Sequence, residues 1–160
     1  MIAIKMICVG KMREKYLIEA FREYEKRLGA YCRLEWIEVP ETKLSPSPTE
    51  GEITAALEKE AAAVVKSLYP DAYVVVLCIE GKKMPSEGIA QLIRERENSG
   101  KPRLCFVIGG SYGLAESVKR CADLRLSMSK MTFPHHLARI MLTEQIYRAF
   151  KINEGSAYHK

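Results

Sequence analysis

Leu104-Cys-Phe-Val-Ile-Gly-Gly-Ser-Tyr-Gly113 is the stretch on which the fold turns. Five apolar residues in succession run directly into a glycine turn. A strand with no polar alternation is covered on both faces, which is the habit of a parallel sheet between helical layers. Ala72–Ile79 reads the same way. Between the two runs, Ser86–Asn98 has helical spacing and is closed by Gly100. A strand, a helix and a strand of this kind form a right-handed crossover. Working outward, Ile2–Val9 and Arg33–Val39 read as strands. Glu14–Leu28 reads as a helix with Leu17, Phe21, Tyr24 and Leu28 on one stripe and Gly29 as its stop. Thr49-x-x-Glu52 is a capping box opening a helix to about Leu68, with Ile53, Leu57, Val64, Val65 and Leu68 facing the core. Downstream, Leu114–Cys121 is a short helix, Leu124–Ser127 a short strand, and Phe133–Asn153 the longest helix. The expected class is α/β, with a mainly parallel five- to six-stranded sheet flanked by helices.

The chain has 160 residues, 48% hydrophobic and 28% charged, which suits one domain spanning 1–160 with a sizeable core. The proline- and serine-rich loop Pro40–Pro48 is too short to divide it. No apolar run approaches the roughly 18 residues of a membrane span. Met1–Gly10 is broken by Lys5 and lacks the basic lead and long apolar centre of a secretion signal, so a cytoplasmic location is expected. Cys8, Cys32, Cys78, Cys105 and Cys121 form no C-x-x-C pair, and an odd count without a signal suggests free thiols. The net charge of +5 and isoelectric point near 8.9 admit an anionic partner without requiring one.

Ligands of open α/β sheets bind beyond the carboxyl ends of the strands. Three loops qualify. One follows Leu77-Cys-Ile-Glu80 and contains Gly81-Lys82-Lys83; the second is Gly109–Gly113; the third is Ser127-Met-Ser-Lys-Met-Thr-Phe133. The second is neither G-x-G-x-x-G nor a P-loop. It is read either as a place where backbone approaches a ligand closely or as a tight strand-to-helix turn. The third either presents amides and hydroxyls to a nucleobase edge or is a plain connection, with Thr132 capping the last helix and Pro134 in its first turn. On that helix Glu144, Arg148 and Lys151 share one face, and the helix leads to Tyr158-His159-Lys160. Histidine can take a proton near neutral pH. His135 and His136 have no cysteine or carboxylate at ligand spacing, so no zinc or other metal site is expected. No G-x-S-x-G elbow is present.

Val9-Gly-Lys-Met-Arg13, Tyr24–Leu28, Gly109–Gly113, Ser127–His135, Glu144-Gln-Ile-Tyr-Arg-Ala-Phe-Lys151 and Tyr158–Lys160 together resemble the RlmH family, the ribosomal large subunit pseudouridine N3-methyltransferases of the SPOUT class. The resemblance spans essentially the whole chain. It implies a C-terminal trefoil knot that forms an S-adenosyl-L-methionine pocket, a homodimer, and a pseudouridine of 23S rRNA in the assembled ribosome as substrate. It points to Leu77, Gly109, Met128, Ser129, Lys130, Met131, Thr132 and Phe133 as cofactor-binding residues. For catalysis, His159 is the candidate base or proton relay, with Tyr158 orienting the base. Arg148 is the candidate for stabilising charge on the uracil carbonyls or holding a phosphate. A non-catalytic basic protein that binds ribosomal RNA is the alternative reading. A nucleotide-binding oxidoreductase is disfavoured because the dinucleotide fingerprint is missing.

Overall fold

The computed structural model describes residues 1–160. Strands and helices alternate throughout: β1 (Ala3–Val9), α1 (Lys15–Leu28), β2 (Arg33–Val39), α2 (Glu50–Ser67), β3 (Tyr73–Lys83), α3 (Ser86–Glu97), β4 (Arg103–Ile108), α4 (Glu116–Arg120), β5 (Leu124–Ser127) and α5 (His135–Asn153). The five strands form one sheet in the order β2-β1-β4-β3-β5, and every pairing is parallel. Five strands, not six, complete it.

Successive strand residues point to opposite faces, so each buried strand feeds two cores. Ile4, Met6 and Cys8 join Leu104, Phe106 and Ile108 under α1, α3 and α5. Ile7 and Val9 join Val74, Val76 and Val107 under α2 and α4. The continuous apolar runs of β3 and β4 are therefore required on both sides.

One expected boundary and one expected face shift. α5 begins at His135 rather than Phe133, with Pro134 at the cap position, and no side chain, Thr132 included, caps it. On α2 the cap is as expected, with Thr49 Oγ1 accepting from the Glu52 N–H at 3.1 Å. Its buried face is Ala56, Glu60, Ala61 and Val64, while Val65 is 44% exposed. The helix thus rests on the sheet through small residues, rotated from the bulkier stripe. Glu60 is tolerated there because its carboxylate accepts the Thr42 N–H at 2.7 Å.

β3 also departs from a plain strand. Leu77 and Lys82 both register against Leu126, so Cys78–Gly81 loop out of the sheet and the strand then resumes. Gly81 lies so close to β5 that a Cβ there would sit 2.7 Å from the carbonyl carbon and oxygen of Arg125. Bulges of this kind re-aim side chains beside functional sites.

The strand order reverses between β1 and β4, the place where a doubly wound sheet ordinarily opens its crevice. Here charged side chains close it. Arg139 of α5 is 0% exposed and donates to the Val9 carbonyl at 2.7 Å and to Glu38 at 3.2 Å. Glu41 reaches from the β2 loop to accept the Ser111 N–H at 2.9 Å. The open space is thereby displaced toward β3, β4 and β5.

Candidate active site

A cavity of about 830 Å3 opens at the carboxyl ends of β3, β4 and β5. The second and third loops singled out from the sequence line it; the first, Gly81-Lys82-Lys83, does not, and the end of β3 enters through Leu77–Glu80 instead. Leu77, Gly109, Met128, Ser129, Met131, Thr132 and Phe133 contribute to the wall. Lys130 does not: it is exposed and lies outside the lining, because the loop turns it outward between Ser129 and Met131. The turn that orients this loop is local, with Ser127 Oγ donating to the Ser129 carbonyl at 3.0 Å and the Met131 N–H donating to Ser129 Oγ at 3.0 Å.

The glycine turn has an internal reason for its composition. Gly110 and Gly113 form an isolated bridge, and a Cβ on Gly109 would lie 2.5 Å from the Gly113 carbonyl oxygen. A Cβ on Gly110 would overlap the Glu41 carboxylate. Gly113 itself has φ +83°, in the left-handed region that glycine adopts freely. The turn is glycine because its own backbone folds tightly, and the tightness leaves a bare main-chain wall facing the cavity.

Several lining residues escaped the sequence reading. Cys78, Ile79 and Glu80 enter through the β3 bulge, Lys119 from α4 and His135 from the start of α5. Glu80 accepts from Lys119 Nζ at 2.6 Å, and this ion pair holds its carboxyl below the usual range. Burial pushes the Cys78 thiol above its ordinary value. His135 is held below the ordinary histidine value, first by burial and then by the neighbouring His136 and Arg139. His136 contacts the Glu14 carboxylate through Nδ1 at 2.8 Å. The one sequence signal for the bulge was Gly81 after an apolar run, since a glycine in a strand marks close backbone approach.

Arg148, Tyr158 and His159 come together, but away from this cavity. Arg148 Nε donates to Glu144 at 2.7 Å, and its Nη1 lies 3.1 Å from His159 Nδ1. His159 Nε2 meets Glu87 Oε1 at 2.8 Å, at the start of α3. A guanidinium can only donate, so Nδ1 accepts here and Nε2 carries the proton. The Arg148 guanidinium stands 4.9 Å from the centre of the Tyr158 ring, and that ring meets Tyr147 edge-on at 5.1 Å. Burial raises the Tyr158 phenol above its ordinary value. The tail is therefore docked across α3 and α5. No group of three or more His, Cys, Asp or Glu side chains is arranged to hold a metal ion.

Comparison with known proteins gives consistent results. The family described as "Predicted SPOUT methyltransferase" matches residues 2–159. The chain is 47% identical over 157 residues to a Methanococcus maripaludis protein named "Putative ribosomal RNA large subunit methyltransferase H", covering 98% of this chain and 99% of that one. Among solved structures, a probable methyltransferase from Bordetella pertussis aligns with TM-score 0.58 and 12% identity, over 91% of this chain and 93% of that one. The tRNA (m1G37) methyltransferase of Aquifex aeolicus aligns with TM-score 0.55 and 15% identity, over 91% and 69% of the respective chains. At such identities these two likenesses concern the fold.

Proposed function

The chain belongs to the SPOUT methyltransferase family, and on that premise we propose that it carries a methyl group from S-adenosyl-L-methionine to N3 of a pseudouridine in 23S rRNA, the one at position 1915, on assembled ribosomes. The observation that supports this most is the convergence of the β3 end, the glycine turn and the third loop on one cavity of about 830 Å3. A protein that only bound ribosomal RNA through basic side chains would have no need of it. The printed name of the Methanococcus maripaludis relative supports the choice of RNA.

The lining suits a nucleoside with a charged thioether arm. Leu77, Ile108, Leu126, Met128 and Phe133 offer apolar surface to a flat ring, and Ser111, Ser129 and Thr132 supply hydroxyls beside it. Leu77, Gly109, Met128, Ser129, Met131, Thr132 and Phe133 are the residues that would hold the cofactor. When bound, it supplies a methyl group on a sulfonium, an electrophile that needs little further activation. The chain's own contribution is then positioning and removal of one proton. His159 takes the N3 proton at Nδ1, which requires that nitrogen to let go of Arg148. Tyr158 orients the acceptor, and Arg148, once released, faces the developing negative charge on the carbonyls. The C-terminal segment forms the family's trefoil knot in this proposal, and two chains associate as a dimer.

Labelled S-adenosylmethionine incubated separately with assembled ribosomes, free subunits and naked rRNA, followed by mapping of the modified base, tests the reading. Label at N3 of one pseudouridine, greatest on assembled ribosomes, is expected. Label on any other base, or none on any RNA, would refute it.

A further inference from the structure

The first of the molecule's cavities, at the carboxyl ends of β3, β4 and β5, has 21 residues in its wall, and only Glu80 and Lys119 among them carry a full charge near neutral pH. Cys78 and His135 share that wall, and burial disfavours the charged form of each. Neither Glu80 nor Lys119 is among the residues to which the family resemblance points.

Separate elements bring the two charges together. Cys78–Gly81 loop out of β3, and Gly81 packs against the Arg125 carbonyl too closely for a side chain. The bulge so held carries Glu80 out of the sheet. Lys119 comes from α4, and its Nζ donates to Glu80 Oε1 at 2.6 Å. The Lys119 side chain is 18% exposed and that of Glu80 55%. A pair this open to water adds little to the stability of a fold. The neighbouring charges Arg125 and Glu116 face each other at 3.7 Å and lie outside the wall. Within the cavity the pair is therefore one anion beside one cation, with no third charge. Both keep bonding capacity, because an ammonium has three donors and a carboxylate two acceptor oxygens, and their mutual bond uses one of each.

S-adenosyl-L-methionine has a complementary pattern at one end. Its amino-acid arm carries an ammonium and a carboxylate on a single carbon. Set against Glu80 and Lys119, each charge of the arm meets its opposite, so neither is left uncompensated on leaving water. The rest of the wall, with the glycine turn, Met128, Thr132 and Phe133, offers no charge and suits the nucleoside.

We propose that Glu80 and Lys119 anchor the amino-acid arm of the cofactor, Glu80 accepting from its ammonium and Lys119 donating to its carboxylate, so that the arm lies along the β3 bulge and α4. This rests on the cofactor use proposed above. The pair then sets the orientation of the cofactor in the cavity, and it discriminates against an adenosine that lacks the arm.

The test is calorimetric and needs no RNA. Full-length protein is titrated with S-adenosylhomocysteine, which keeps the arm, and with 5′-methylthioadenosine, which keeps the adenosine and the thioether but has no arm. Wild-type protein should bind S-adenosylhomocysteine more tightly by about 10- to 100-fold, the size expected of hydrogen bonds between charged groups. Lys119→Met, which keeps the packing of the aliphatic stem, and Glu80→Gln should each remove much of that preference by weakening S-adenosylhomocysteine alone. Methylthioadenosine affinity should stay within about twofold, and the thermal midpoint without ligand within about two degrees, because the pair stabilises the fold so little. Lys119→Arg, which keeps the cation, should restore part of the preference. A folded Lys119→Met protein with the wild-type preference overturns the anchor. So does an equal loss of both ligands in the variants, which would place the pair against the nucleoside. Wild-type protein that binds both ligands equally also overturns the anchor while leaving the cofactor reading intact. Wild-type protein that binds neither ligand would sink the cofactor reading, and the anchor with it.

Discussion

At the scale of single residues, Gly109 and Arg139 constrain the site from opposite sides. The Gly109 Cβ position collides with the Gly113 backbone, which cannot yield as a flexible side chain could. Gly109→Val should therefore destabilise the protein itself, lowering the thermal midpoint measured without cofactor by several degrees, on the order of 1–3 kcal/mol of overpacking. A variant that melts at the wild-type temperature but no longer binds S-adenosylmethionine would show instead that the cofactor alone excludes the side chain. Arg139 is wholly buried, with Glu38 and the Val9 carbonyl as partners and its Nε unpaired. Arg139→Ala would leave Glu38 without its cation and open the crevice between β1 and β4. Urea denaturation should show a loss of about 3–5 kcal/mol. His135 adds a pH dependence. Its native proton affinity is depressed, so as pH falls through the ordinary histidine value near 6.5 the unfolded chain binds the proton first. Stability should thus decrease as pH falls from about 6.5 to the lower native value and level off below it. His135→Asn should flatten that slope, and an unchanged slope in the variant would assign it to another group.

At the scale of elements, the sequence exposes whatever is periodic or continuous and hides whatever is decided between distant segments. The apolar runs of β3 and β4 and the glycine turn after β4 were legible because both faces of a central strand must be apolar and because Gly109 and Gly113 answer to their own loop. The burial of Ala56, Glu60 and Ala61 on α2 was not, since small residues and a glutamate satisfied by the Thr42 backbone carry no hydropathy signal. The β3 bulge was hidden for the same reason: its existence depends on the register of β5. That bulge yields a chemical test. Cys8 and Cys32 are buried, with thiols pushed up to about 12, so neither forms thiolate at neutral pH. Cys121 is exposed, and Cys78 lines the first cavity, where the cofactor is proposed to bind. In a Cys121→Ser background, iodoacetamide at about pH 8.5 should label Cys78 slowly, and saturating S-adenosylmethionine should protect it. Mass spectrometry that finds labelling of Cys78 equally fast with and without cofactor would place the cofactor elsewhere.

At the scale of the whole molecule, apolar surface gathers around the mouth of the first cavity, where Ile79, Tyr112 and Met131 are 55%, 48% and 72% exposed. The apolar circumference of α5 does not explain association by itself. Ile140, Leu142, Ile146 and Phe150 are already buried within the chain, which leaves Leu137 exposed and Met141 half-buried on that helix. A second copy covering the cavity mouth would remove the exposed patch from water, and an exposed apolar patch of this kind marks an association surface. The tail is positioned independently of that surface, through Glu87, Glu144, Arg148 and Tyr147. Removing Tyr158, His159 and Lys160 should therefore leave a dimer by light scattering at micromolar concentration, cofactor affinity within about twofold, and a modestly lower thermal midpoint from the lost Tyr158 packing. Methyl transfer should collapse, with the loss in kcat, as expected of groups that act mainly in the transition state. His159→Ala should reproduce most of the kinetic loss. A truncated dimer that methylates ribosomes at the intact rate would assign the N3 proton to bound water or another side chain, and a monomer that retains full activity would remove the second copy from the site.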